Sequence, residues 1–156
     1  MSYQTIATDI KAKLTALGGC GVIHTYARQA VDAAKFIELF RDKVSGQILG
    51  CEITRGSVPE TLHGAHHRLH QFRISFYKGL QDEKATSVNF QEQCDDICET
   101  FRTASPPVGA AWEYRNAGNP ENAPAQIDTI DDRLFGSVLC HCAEISLVVS
   151  ERIIII

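Results

Sequence analysis

Residues 136–150, GSVLCHCAEISLVVS, carry the longest extended pattern in the chain. Alternate positions from Leu139 read Leu139, His141, Ala143, Ile145, Leu147 and Val149. The intervening ones read Val138, Cys140, Cys142, Glu144, Ser146 and Val148. Strand side chains point to opposite faces with period two. The first face is therefore apolar with one histidine, and the second is small and mixed. A strand of this kind belongs in the middle of its sheet, with the other elements packed on it.

Two segments show helical period instead. In Ser2–Leu17, Tyr3, Ile6, Ile10, Leu14 and Leu17 recur every three or four residues, with Asp9, Lys11 and Lys13 opposite. Ser2 is placed to cap that helix, and Gly18-Gly19 to stop it. In Thr86–Arg102, Phe90, Cys94, Ile97, Cys98 and Phe101 form one apolar stripe, with Thr86 or Ser87 as cap and Ser105-Pro106-Pro107 as terminator. Asp32–Asp42 predicts a short helix or ordered loop, capped by Asp32. Gly21–Tyr26, Gln47–Arg55 and Ala65–Lys78 alternate and predict strands, the last beginning at a polar, exposed end with His66, His67, Arg68 and His70. Gly56–Gly64 reads as a loop or crossover. Val108–Arg133 reads as mostly irregular, with a short strand at Gln126–Asp131, so a long loop is expected at about 103–133. Helices flanking a mixed, largely antiparallel sheet make an α+β domain spanning 1–156.

Composition adds constraints. At 156 residues one core suffices without disulfides or metal. A net charge of −4 argues against a protein that wraps nucleic acid with a broad basic face. The opening MSYQTIATDIKAKL lacks the apolar region of a signal peptide, and no apolar run approaches a membrane span. The six cysteines then read as reduced thiols in a cytosolic setting. Four terminal isoleucines, Ile153–Ile156, are expected to dock on this sheet or on a neighbouring subunit.

Catalytic motifs are sparse. The cluster LHGAHHRLH places His63, His66, His67 and His70 close together, and Cys140-His141-Cys142 adds soft ligands. A zinc site needs four converging ligands, usually in paired short spacings. Neither CxxC…CxxC nor CxxC…HxxxH occurs, so a polar strand end and core cysteines are the plainer reading. No G-x-S-x-G elbow is present. Leu17–Gly21 follows a helix, whereas a phosphate-cradling loop follows a strand. Asp128, Asp131 and Asp132 sit beside Arg133 and read as a solvated turn. No enzyme activity and no cofactor are expected; a metal-dependent enzyme using the His63–His70 cluster is the weakest alternative.

Several phrases match a known pattern: Gly46–Arg55 (GQILGCEITR), His67–Tyr77 (HRLHQFRISFY) with the Phe90–Phe101 helix after it, and Asp132–Glu151 (DRLFGSVLCHCAEISLVVSE). With the leading helix and the element order, the chain resembles the tail terminator (tail-completion) proteins of long-tailed bacteriophages. Cys51 and the terminal isoleucines have no counterpart in that pattern. The resemblance implies a structural virion protein of the tail and neck, assembled in the host cytoplasm. It implies a homo-hexameric ring that caps the tail tube protein, stops its polymerisation and joins a head-completion or connector protein. Genomic DNA would pass through the lumen without specific binding. A head–tail connector is the neighbouring alternative. A closed ring needs a head-to-tail interface. The candidate interface residues are His63, His66, His67, Arg68, Trp112, Tyr114, Arg115, Arg133, Ile153, Ile154, Ile155 and Ile156, since Trp, Tyr and Arg are enriched at such contacts.

Overall fold

The computed structural model describes residues 2–62, 65–135 and 137–154. The elements run α1 (Ser2–Leu17), β1 (Val22–His24), α2 (Ala33–Phe40), β2 (Leu49–Arg55), β3 (Glu60–Thr61), β4 (His67–Gly79), α3 (Thr86–Arg102), β5 (Trp112–Glu113), β6 (Ala125–Phe135) and β7 (Val138–Arg152). A short 3-10 turn, Asp82–Lys84, precedes α3. Among the described residues the seven strands form one sheet in an α+β fold. β1 pairs with β2 in parallel; every other pairing is antiparallel.

β7 is central. It pairs along its length with β4 on one side, and with β6 and then β5 on the other. Its odd-numbered face meets α1 and α3. The register lines up Ile53, Ile74, Ile145 and Ile127 in one row across β2, β4, β7 and β6. Ile6, Ile10 and Leu14 of α1 and Phe90, Cys94, Ile97 and Phe101 of α3 close over that row. Each fully buried aliphatic or phenyl side chain contributes about 1.5–3 kcal/mol by leaving water. Burial of this stripe, rather than propensity, is what holds the two helices in place.

Among the described residues, the opposite sheet face carries a hydrophobic cluster at one end. There α2 lays Phe36, Leu39 and Phe40 on Ile48, Cys140 and Cys142, and Phe36 stacks on Phe135 at 4.4 Å. Asp32 caps α2 by accepting a hydrogen bond from the Lys35 amide at 2.8 Å. The rest of that face carries Glu52, Arg73, Ser75, Glu144 and Ser146. Ser75 donates to Glu144 and Arg73 pairs with it at 3.3 Å.

Three expectations require correction. The 103–133 segment is not one long loop: β6 runs eleven residues into a tight hairpin with β7. A bulge between Ile127 and Thr129 leaves Asp128 unmatched, so Ile127 and Ile130, three apart, both pack toward the core. That spacing breaks the period-two pattern, so the sequence shows only the short strand Gln126–Asp131 of the eleven-residue β6. The end caps also differ. α1 begins at Ser2 itself, whose side chain bonds Glu151. α3 follows Ala85, which has φ 50°, and Thr86 does not cap it. Finally, His70 is fully buried, although the start of β4 reads as an exposed polar end. It shares the core face with Phe72 and Ile74.

Candidate functional site

The strand register gathers several predicted interface residues at one end of the sheet. β4 starts there, β7 ends there, and β5 pairs beside it: His67 lies opposite Arg152, Arg68 and Trp112 both lie opposite Glu151, and Glu113 lies opposite Ser150. The chain continues this pairing past β7, with the Arg152 amide donating to Ala111 O at 2.8 Å and the Ile153 amide to His66 O at 2.9 Å. Ile153 is thereby docked on its own sheet, and Ile154 is 78 % exposed. His67, Trp112, Arg115, Arg152, Ile154 and Pro106 line an open groove of about 640 Å³. His67 Nδ1 donates to Ala65 O at 3.1 Å. Arg115 pairs with Glu113. His66 and Arg68 both reach Glu60 on β3, at 2.9 and 3.3 Å, and hold that carboxyl below its ordinary range. Its lining mixes the charged Glu113, Arg115 and Arg152 with the apolar Pro106, Trp112 and Ile154.

Trp112 and Tyr114, named above as candidate interface residues, pack in the core of their own subunit. Each is 7 % exposed. Trp112 meets Tyr114 edge-on at 5.5 Å, and Tyr114 leans on Phe101 at 5.2 Å. Tyr114 donates its hydroxyl to Asp9 at 2.5 Å, and burial raises its pKa strongly, with Asp9 adding to the effect. Both rings staple the segment after α3 onto α1 and α3. Arg133 lies elsewhere. It sits opposite Cys140, so the length of β7 from Cys140 to Arg152, about 40 Å, separates it from the groove. There it pairs with Asp131 at 3.0 Å. His63, Ile155 and Ile156 lie outside the described residues.

The described histidines of the cluster do not converge. His66 bonds Glu60, His67 bonds the Ala65 carbonyl, and His70 enters the core face. Among the described residues no three His, Cys, Asp or Glu side chains are placed to hold a metal ion.

Two buried polar constellations escape the motif search. At one end of the core face, His70 Nδ1 accepts from Arg55 Nη1 at 3.0 Å, so Nε2 carries the proton and donates to Glu151 Oε2 at 2.8 Å. Burial lowers the His70 pKa against the opposing pull of Glu151. For Glu151, burial works upward but is outweighed by hydrogen bonds from Ser2 and His70, and the pKa falls. At the other end, His141 Nδ1 lies 2.6 Å from Asp132 Oδ1, and Nε2 lies 2.8 Å from the Thr86 hydroxyl. Hydroxyl, imidazole and carboxylate in line are the parts of a nucleophilic triad. Here, however, the hydroxyl also donates to Gln81 O and accepts from Gln81 N–H, and Thr86 is 5 % exposed. The groove at the other end of the sheet is lined by none of these three residues. The arrangement pins the start of α3 to the hairpin of β6 and β7. A sequence signal exists for both sites: His141 and Glu151 fall on the otherwise apolar alternation of β7.

No helix among the described residues is long and apolar enough to cross a membrane. No protein-family model and no curated protein matches the chain.

Proposed function

We propose that this protein is a structural virion component, a tail terminator whose copies close into a six-membered ring at the end of a phage tail tube. The ring stops tube polymerisation and presents a surface to the head connector. It needs no cofactor and performs no chemistry. The observation that carries this reading is the open edge of β6. This eleven-residue strand pairs only with β7 among the described residues, and the opposite sheet edge is the three-residue β1. Two unlike edges suit a head-to-tail contact, which closes into a ring. Asp128, Asp131, Asp132 and Arg133 along β6, together with its bulge, discourage indiscriminate pairing of the kind that builds fibres. The groove at the far end of β7 supplies a second surface, suited to a tube or connector subunit. The polar, half-open sheet face and the net negative charge suit DNA passing nearby without adhering.

The test is negative-stain imaging and native mass measurement, with and without tail tube. Six-fold rings at tube ends are expected. A single subunit at every concentration, with tube present, overturns the reading. Association with portal or connector but not with tube replaces it by a head–tail connector role.

A further inference from the structure

His70 is 0 % exposed, and its two ring nitrogens meet opposite kinds of partner. Nδ1 lies 3.0 Å from Arg55 Nη1, and Nε2 lies 2.8 Å from Glu151 Oε2. A guanidinium only donates. Nδ1 therefore offers its lone pair to Arg55, and the neutral ring keeps its proton on Nε2. Arg55 is the last residue of β2, and its guanidinium also lies over the Tyr3 ring at 5.1 Å. Tyr3 in turn stacks on Phe72 at 5.9 Å and donates its hydroxyl to Thr25 O at 2.6 Å. One guanidinium thus ties the end of β2 to β4 and to the first turn of α1.

We infer that His70 is a proton-operated switch for Arg55: the neutral ring docks the guanidinium, and the protonated ring expels it. A second proton on the ring goes to Nδ1. There it faces Arg55 Nη1–H, donor against donor, with a positive charge on each side. Turning the guanidinium supplies no acceptor. Turning the ring over supplies none either, because both nitrogens of an imidazolium donate. Glu151 keeps its bond, now charge-assisted, so the ring stays and Arg55 moves. Room for the move exists. Arg55 and Arg68, with Ser2, Tyr3 and Gln4, line an open groove of about 500 Å³. In it the guanidinium regains water and leaves the Tyr3 ring.

The charged groups facing His70 are Arg55 from β2, Glu151 from β7 and Arg68 from its own strand. The two arginines oppose an added positive charge, and Glu151 favours it. From α1 come the Tyr3 hydroxyl and Ser2, whose side chain bonds Glu151. His141, also buried, is built differently. Its nitrogens face the Asp132 carboxylate at 2.6 Å and the Thr86 hydroxyl at 2.8 Å, and both of these accept. Protonation there costs no partner. The switch at His70 is independent of the assembly reading.

The experiment records long-range proton–nitrogen correlation spectra of the full chain from about pH 7.5 to about pH 5, the range in which histidine titrates. At the upper end His70 is expected to show a lone pair on Nδ1 and a proton on Nε2. As the ring protonates, the Arg55 Nε–H signal should pass from slow to fast exchange with water. The Tyr3 ring signals should shift with the same midpoint, while those of Tyr114 stay. In Arg55→Gln the carboxamide can donate to the neutral ring or turn its oxygen to the charged one. The His70 midpoint should then move up, and the Tyr3 signals should stay still through it. A proton on Nδ1 at neutral pH, an Arg55 signal unchanged while His70 titrates, or a ring that does not titrate before the whole chain unfolds would overturn the inference. So would an unmoved midpoint in a folded Arg55→Gln. The wild-type titration decides the matter even where the variant fails to fold.

Discussion

The Thr86 hydroxyl is the point at which most buried polar geometry depends on one small group. It accepts from Gln81 N–H at 2.9 Å, donates to Gln81 O at 3.1 Å and meets His141 Nε2 at 2.8 Å. Thr86→Val keeps the shape and deletes all three bonds. The Gln81 backbone is partly exposed, so water replaces its bonds at little cost. His141 is 3 % exposed and stacked on Phe90 at 5.4 Å, and water does not reach Nε2. Leaving one buried polar group unpaired costs about 1–3 kcal/mol, and the two partly hydrated bonds add about 0.5 kcal/mol each. The expected loss is about 2–4 kcal/mol, a large part of the ~5–15 kcal/mol that stabilises a domain. Urea unfolding followed by circular dichroism measures it. Thr86→Ser keeps the hydroxyl and should stay within about 1 kcal/mol of wild type. Thr100→Val removes a hydroxyl that bonds Asp96 O on an exposed helix face, and should cost under about 0.5 kcal/mol. The reasoning fails if Thr86→Val is as mild as Thr100→Val, or if Thr86→Ser is as damaging as Thr86→Val.

Three further outcomes are expected. Gly21→Ala places a Cβ 2.0 Å from Leu49 O at φ +66°, where backbone must move, and should cost well over 2 kcal/mol. Gly18→Ala, with the same sign of φ but open space around it, should cost only about 1 kcal/mol; equal midpoints in urea would refute the packing argument. Stability should fall on acidification, because burial holds the His70 pKa below its ordinary 6.5. The unfolded chain takes the proton first, so the contribution is complete above about 6.5 and is lost as pH falls through the folded value. Glu151, also lowered, loses its contribution in the same direction at lower pH, with Arg55 and Arg68 the cations facing the pair. A His70→Gln variant should show a flatter unfolding midpoint between pH 7 and 5.5, and an unchanged slope would count against the assignment. Phe36→Ala removes the ring stacked on Phe135 and should cost about 3 kcal/mol. Hydrogen exchange should then open α2 while α1 and α3 stay protected.

Elements with a regular period are legible in the chain alone. Both long helices appear with their observed limits because a single stripe, Ile6-Ile10-Leu14 or Phe90-Cys94-Ile97-Phe101, must be buried. β7 is readable as the central strand because its alternation leaves one face apolar from Ala143 to Val149. The Asp32 cap of α2 is equally local. What depends on long-range pairing is not legible. β6 is legible only as the short strand Gln126–Asp131, since the Ile127–Ile130 spacing makes sense only once Ile145 and Ala143 stand opposite. Trp112 and Tyr114 look like loop residues until β5 pairs with β7 and turns both rings onto α1 and α3. His70 meets Glu151, and Thr86 meets His141, across separations of 81 and 55 residues. Local sequence determines which face of an element avoids water, because that depends on neighbours one turn or two residues away. Which polar group ends up beside which is decided only when the strands take register, because a shift of one residue would send every one of these side chains to the other face.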